Sequence, residues 1–197
     1  MKEVAIIDYG AGNIGSLFNA IEYLNFKPII IKNPTEKNYS HILLPGVGSF
    51  GRLSNNLKKL SLDQYIFECL KSGSYLFGIC IGMQLLFEKS EESPDSKGLS
   101  LINGNFEKIL PQNKSNLPLP HIGFSRVNNE NSKLFNVIEK DPFFYFIHSY
   151  CLKSVPKNVN FCNTEYGEKF ISFVEKDNIF GSQFHPEKSH KTGLKLI

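Results

Sequence analysis

The sequence predicts an α/β protein: an open, mostly parallel, doubly wound sheet with helices on both faces and an added antiparallel portion in the C-terminal half. Three observations carry this. Short, nearly continuous apolar runs (Val4-Ala5-Ile6-Ile7, Ile29-Ile30-Ile31, Ile42-Leu43-Leu44 and Leu76-Phe77) look like strands covered on both faces, because a strand with one wet face alternates instead. Glycine-containing turns and helical spacings follow the first, third and fourth of them, and strand–helix–strand order with short connections selects a parallel sheet. From Leu99 the texture changes to short apolar and aromatic segments without helical spacing, the pattern of antiparallel strands added to the sheet or forming a small lobe.

The chain of 197 residues is long enough for one domain, expected over 1–197; at this size roughly 70% of the unfolded surface can leave water. Lys and Arg number 22 against 19 Asp and Glu, and a formal charge of +3 is too small and too scattered to imply nucleic acid or a membrane as partner. Cys69, Cys80, Cys151 and Cys162 form no CxxC pair and no metal-ligand spacing, so no metal or other cofactor is expected, and the four read as free thiols in a reducing compartment. The N-terminus lacks the pattern of a signal peptide and no run of about 20 apolar residues could span a bilayer. A cytoplasmic protein is expected.

Taken in order, the run over 3–8 is the first strand, and Leu17, Ala20, Ile21 and Leu24 give the first helix. Between them Gly10, Gly12 and Gly15 match the dinucleotide fingerprint, but the second strand, 27–33, ends in Lys32-Asn33 without the acidic residue that would hold a ribose. Tight turning and close helix packing account for these glycines. A strand at 41–44 breaks into Pro45-Gly46-Val47-Gly48-Ser49, a loop with free N–H groups that can approach a ligand closely. One amphipathic helix is expected from about Leu53 to Lys71, with Leu57, Leu60, Ile66 and Leu70 inward. Beyond the strand at 76–79, Glu88, Glu91, Glu92 and Asp95 read as a solvated surface loop. Further strands are expected over 101–110, 122–127, 143–147, 159–163, 170–175 and 179–184, with a proline-marked surface loop over 111–120.

Gly78-Ile79-Cys80-Ile81-Gly82 has the form of a nucleophile elbow with sulfur at its apex. The helix that follows would aim N–H groups near the sulfur and favour its thiolate; the same turn could equally hold a buried, inert cysteine. His185-Pro186-Glu187, at the end of the 179–184 strand, shifts the balance. A thiol nucleophile needs a base, the base needs a group that fixes its tautomer, and open α/β sheets gather their sites at the carboxyl ends of strands. Cys80, His185 and Glu187 are therefore the candidate triad. His41, His121, His148 and His190 have no neighbouring carboxylate in sequence and read as structural or surface groups.

These two motifs together resemble the class I, or triad, glutamine amidotransferases. Asp8-Tyr9-Gly10-Ala11-Gly12-Asn13, the Pro45 to Phe50 loop, Pro120-His121-Ile122-Gly123, Phe146-Ile147-His148-Ser149-Tyr150 and Gln183 to Ser189 extend the likeness along the chain. It is strongest to the branch that supplies imidazole glycerol phosphate synthase with ammonia in histidine biosynthesis. The resemblance implies that Cys80 attacks the carboxamide of glutamine, His185 moves the proton to the departing nitrogen, and a glutamyl thioester is hydrolysed. It implies an oxyanion hole from Ile81 and the Gly46-Val47-Gly48 loop, with Gln84, Ser149 and Tyr150 binding substrate. It also implies a heterodimer with a (β/α)8 barrel cyclase, docked on a face that includes Gly12, Asn13, His121, Gly123 and Phe124.

The chain departs from that branch at Ile122, Phe124 and Ser125, where methionine, tryptophan and asparagine are usual, and at Cys151 and Ser182. The departures fall where the partner should dock. They put a rival in view, a related glutaminase feeding an enzyme that modifies a surface sugar; two others are a γ-glutamyl peptidase working alone and a non-catalytic docking subunit, against which the intact triad argues.

Overall fold

The computed structural model describes residues 1–110, 117–128, 132 and 134–197. In chain order the elements are β1 (Glu3–Ile7), α1 (Ile14–Tyr23), β2 (Lys27–Ile31), β3 (His41–Leu44), α2 (Phe50–Lys59), α3 (Leu62–Lys71), β4 (Tyr75–Ile79), α4 (Ile81–Leu86), β5 (Lys89–Ser90), β6 (Asn105–Lys108), β7 (His121–Arg126), β8 (Phe143–His148), β9 (Tyr150–Leu152), β10 (Asn160–Tyr166), β11 (Glu168–Lys176), β12 (Ile179–Ser182) and α5 (His190–Leu194). The main sheet runs β2-β1-β3-β4-β12-β11-β9-β6-β5, with β10 paired to β11. Its first five strands are mutually parallel, and the pairs from β11 onward are antiparallel except the last, in which the short β5 runs parallel to β6. A separate ribbon pairs β7 with β8. The predicted parallel core with an antiparallel addition is the architecture found.

Two hydrophobic clusters, one on each face, explain why the strands read as unbroken apolar runs. In β1, Ala5 and Ile7 join the cluster under α2, α3 and α4, while Val4 and Ile6 join Leu17 and Ile21 of α1 in the other. β11 divides in the same way, Ile171 and Val174 on one face and Phe170 and Phe173 on the other. The second face is built largely of rings, with Phe135, Phe144, Phe146, Phe173 and Phe184 in mutual edge and stacked contact. Such pairs add about 0.5–1.5 kcal/mol beyond the area they bury.

Three expectations need correction. The helix expected from Leu53 to Lys71 is two helices, because Ser61 turns into the left-handed region at φ 55° and starts α3 afresh; Leu60, at the break, is 37% exposed rather than inward. The strand expected over 101–110 shrinks to β6. The very short β5 and β9 escaped notice, since two or three residues carry no periodicity. Of the loop expected over 111–120, residues 111–116 lie outside the described residues.

Register positions the site. β3, β4 and β12 lie side by side with Leu44, Gly78 and Gly181 in one row. The segments leaving their carboxyl ends, the Pro45 to Gly48 loop, Cys80 and Gln183 to His185, therefore emerge together.

Candidate active site

The elbow is forced by its glycines. A Cβ on Gly82 would lie 1.8 Å from the Leu44 carbonyl oxygen, and one on Gly78 would lie 2.6 Å from that of Gly82. Only bare backbone permits this close crossing, and it drives Cys80 to φ 55°, ψ −109°, a conformation an L-residue holds only where its surroundings impose it. They do: the Cys80 N–H donates to the Ser182 oxygen at 2.7 Å and its carbonyl accepts from Gln84 N–H at 3.2 Å. α4 has only six residues, so its dipole contributes less than the sequence suggests. Cys80 is 5% exposed, and its sulfur lies 3.8 Å from the Ile147 carbonyl oxygen and 3.7 Å from the Gln183 side-chain nitrogen.

His185 follows β12 and is fully buried. Its Nδ1–H donates to Glu187 Oε1 at 2.7 Å, which leaves Nε2 without a hydrogen-bond partner. Its backbone N–H is bonded to the Tyr145 oxygen at 2.8 Å, while Ser189 Oγ donates to the His185 oxygen and accepts from Tyr145 N–H. The ring is thus held by Glu187, and the backbone that carries it by Tyr145 and Ser189. Burial opposes charge on this imidazole, but the Cys80 sulfur and the Glu187 carboxylate outweigh it and raise the pKa to about 10. The sulfur acts here through proximity, since the resting geometry leaves Nε2 unbonded.

Asn13, expected on the docking face, turns its side chain inward: Nδ2 donates to the same Oε1 of Glu187 that accepts from His185. The residue sits at φ 74° ahead of α1, a conformation asparagine tolerates better than most side chains. Its neighbour Gly12 donates its N–H to the Val47 oxygen at 3.4 Å. One loop therefore touches both the carboxylate behind His185 and the predicted oxyanion loop. Of the fingerprint glycines, Gly10 (φ 80°) makes the turn and Gly12 permits the approach of Val47, whereas Gly15 faces open space.

Gly46 and Gly48 have φ 155° and 143°, and a Cβ on Gly46 would meet Ala11 and Ile81 within 2.8 Å. The loop is thereby pressed against the first turn of α4, where the Ile81 N–H, like the first N–H groups of any helix, has no acceptor within it. Together they border a cleft of about 260 Å³ lined by Val47, Gly48, Cys80, Ile81, Gln84, Glu92, His148, Ser149 and Tyr150, with Pro120 and Ile147. All three predicted substrate positions line it. Glu92, read as solvated surface, does so too: its carboxylate caps α2 by accepting from Phe50 N–H. Glu88 and Glu91 likewise accept from the Gly104 and Lys108 N–H groups, so this acidic stretch is in part a set of backbone caps.

His121, expected to face a partner, is 1% exposed. Alternation along β7 puts His121 inside and Ile122, Phe124 and Arg126 outside, with Gly123 half-buried on the inner side. His121 Nδ1 lies 3.1 Å from His148 Nε2, and its Nε2 lies 2.8 Å from Ser125 Oγ; His148 Nδ1–H donates to the Tyr150 oxygen at 2.8 Å. Burial lowers the pKa of His121 to about 4 and of His148 to about 3, so the pair stays neutral and ties the floor of the cleft to β7. Among the described residues no three His, Cys, Asp or Glu side chains gather as a metal site requires.

Sequence reasoning missed the inward role of Asn13, the contact of Gln183 with the sulfur and the place of Glu92 in the cleft. The sequence carried a trace only of the first, an Asn after a glycine turn.

The class-I glutamine amidotransferase family model matches residues 5–197. Among curated relatives, the imidazole glycerol phosphate synthase subunit HisH of Helicobacter hepaticus is 42% identical, covering 98% of this chain and 95% of its own length. The subunit of the same name from Bacillus subtilis is 36% identical over 98% of this chain and 93% of its own. Among solved structures, PurLQS from Thermotoga maritima superposes with a TM-score of 0.76 at 19% identity, covering 99% of this chain and 95% of the matched one. A glutamine amidotransferase gives 0.74 at 16% identity, with 98% of each chain covered. At these identities the superpositions speak for the fold.

Proposed function

We propose that this chain, which belongs to the class-I glutamine amidotransferase family, is the glutaminase subunit of an imidazole glycerol phosphate synthase and releases ammonia through a thioester on Cys80. The observation that carries the reading is a buried cysteine on a strained elbow, faced by a histidine whose other nitrogen is bonded to a carboxylate.

In this reading glutamine enters the cleft with its carboxamide over Cys80 and its charged end toward Glu92, Ser149 and Tyr150. The carboxylate of Glu92 suits an α-ammonium group. The sulfur attacks the carboxamide carbon, and the electron pair of the C=O moves onto oxygen, toward the Ile81 N–H and the Gly46–Gly48 loop. Each such donor contributes about 2.7–4 kcal/mol to the transition state. His185 passes its Nε2 proton to the departing nitrogen, so that neutral ammonia leaves and the γ-glutamyl thioester remains. Water, deprotonated by the same nitrogen, then cleaves the thioester to glutamate and restores the thiol. Glu187, held by Asn13, keeps Nδ1 protonated throughout and so fixes Nε2 as the working nitrogen.

Ammonia released into neutral water becomes ammonium, which is not nucleophilic. A partner that accepts it directly is therefore part of the proposal: a (β/α)8 cyclase docked where Ile122 and Phe124, 56% and 46% exposed, face outward on β7. The test is glutamine hydrolysis by the chain alone and with a cyclase subunit plus its nucleotide ligand. A sharp rise on addition supports the coupled reading, and equal turnover contradicts it. The outward Ile122 and Phe124, where the branch has methionine and tryptophan, favour one second reading, a related glutaminase serving an enzyme that modifies a surface sugar. Rescue of a histidine auxotroph lacking its glutaminase subunit decides between them.

A further inference from the structure

We infer that Gln183 is a further catalytic residue, a fixed, uncharged donor whose side-chain N–H holds the Cys80 sulfur while it carries negative charge. This rests on the reading of Cys80 as the nucleophile. Gln183 is fully buried, and a buried carboxamide is costly unless both its ends are bonded. Its Oε1 accepts from Gln84 Nε2 at 3.2 Å and its Nε2 reaches Cys80 Sγ at 3.7 Å, a contact that suits the larger radius of sulfur. With Gln84 Nε2 donating to Gln183, reversing the Gln183 amide would set two NH2 groups against each other and point an oxygen at the sulfur's lone pairs. Gln84 also lines the cleft, where its own Oε1 has no partner.

The chemistry suits such a donor. The sulfur is anionic before attack and again as the thioester is cleaved, and at both points the Gln183 N–H adds to the charge of His185. Gln183 cannot titrate, so its N–H serves the sulfur before attack and again when glutamate departs. It also offsets the Ile147 carbonyl oxygen, 3.8 Å from the sulfur, which accepts from a neutral S–H but repels an anion.

The other charged or titratable groups around Cys80 are otherwise engaged. Glu187 is bonded to His185 and Asn13, and His148 to Tyr150 and His121. The Tyr9 hydroxyl donates to the Pro45 oxygen and is kept protonated by burial and by the sulfur. Arg52 donates to the Gly10 oxygen, and Glu92 caps α2. Among the described residues only the Ile147 oxygen and Gln183 Nε2 are hydrogen-bonded to the sulfur.

The test is the rate of Cys80 alkylation by iodoacetamide as a function of pH, read by peptide mass, in the wild type, Gln183→Met and Gln183→Asn. Methionine keeps the bulk and removes the donor; asparagine keeps a carboxamide but withdraws it by one methylene. In both variants the profile should move to higher pH by about one unit, making alkylation about tenfold slower at a pH below the wild-type midpoint. Thermal unfolding identifies a variant that does not fold, and the other then decides. Variants that unfold at lower temperature but share the wild-type alkylation profile would overturn the inference and leave Gln183 a packing residue. Alkylation needs no substrate, so failure of the chain to hydrolyse glutamine would count against the proposed function and not against this assignment.

Discussion

Asn13 and His185 bind the same oxygen of Glu187, one through its side-chain amide and the other through Nδ1–H. The carboxylate that orients the His185 ring is therefore itself oriented from the first βα loop, 174 residues away in sequence.

Removing the Asn13 donor should slow catalysis more than binding. Hydrogen bonds to a charged group are worth about 1.5–3 kcal/mol, so Asn13→Gly, which also tolerates the left-handed backbone, should lower kcat by about tenfold or more with little change in KM. Asn13→Asp should be worse, because it sets a second carboxylate against Glu187. Steady-state kinetics with the partner present would measure this. A raised KM with kcat intact would assign Asn13 to docking or binding instead.

Stability should fall on both sides of a maximum near neutrality. His121 and His148 have folded pKa values of about 4 and 3, below the ordinary 6.5. Below 6.5 the unfolded chain therefore takes up protons the folded one refuses, and stability is lost as pH drops. The slope approaches about 1.4 kcal/mol per pH unit for each histidine. His185 works the other way. Its folded pKa is about 10, so its contribution is complete below 6.5 and disappears as pH rises through 10. Denaturant midpoints across this range, with His148→Gln as control, would show a shallower acid limb in the variant.

The glycines of the elbow and of the first loop should differ sharply. Gly82→Ala forces a Cβ onto the Leu44 carbonyl and should cost more than about 3 kcal/mol, as overpacking against backbone does. Gly15→Ala meets nothing within 4 Å and should be neutral or stabilising by about 0.4–1 kcal/mol. Chemical denaturation of the two variants would check the contrast.

Phe124 packs edge-on against Tyr145 and stacks on His190 with its outer face in water. Phe124→Asp should leave the fold of the isolated chain intact while weakening any partner-dependent rise in glutaminase rate by tenfold or more, measured by titrating the cyclase. An unchanged titration would move the docking surface elsewhere.

The parallel core was legible because buried strands and short βα turns leave local marks: Val4 to Ile7, the Gly78-x-Cys80-x-Gly82 turn and the strand ending at His185-Pro186-Glu187 are each contiguous. What escaped depends on register. Gln183 meets Cys80 because β12 lies beside β4, and nothing near Gln183 in the sequence announces it. His121 reads as surface until alternation along β7 turns it inward to His148. Ser125 looks like a departure from pattern, yet its hydroxyl bonds the outer nitrogen of His121. Glu92 looks like one more surface acid until the fold carries it to the mouth of the cleft.

The proposed function turns on the transfer of the glutamyl group to Cys80. Acid-quenched reactions of the chain with glutamine and the cyclase subunit, read by intact-protein mass spectrometry and peptide mapping, test it directly. One glutamyl adduct is expected on the Cys80 peptide, sensitive to hydroxylamine and absent from Cys80→Ser. Glutamine turnover with no adduct at Cys80, or turnover undiminished in Cys80→Ser, would contradict it.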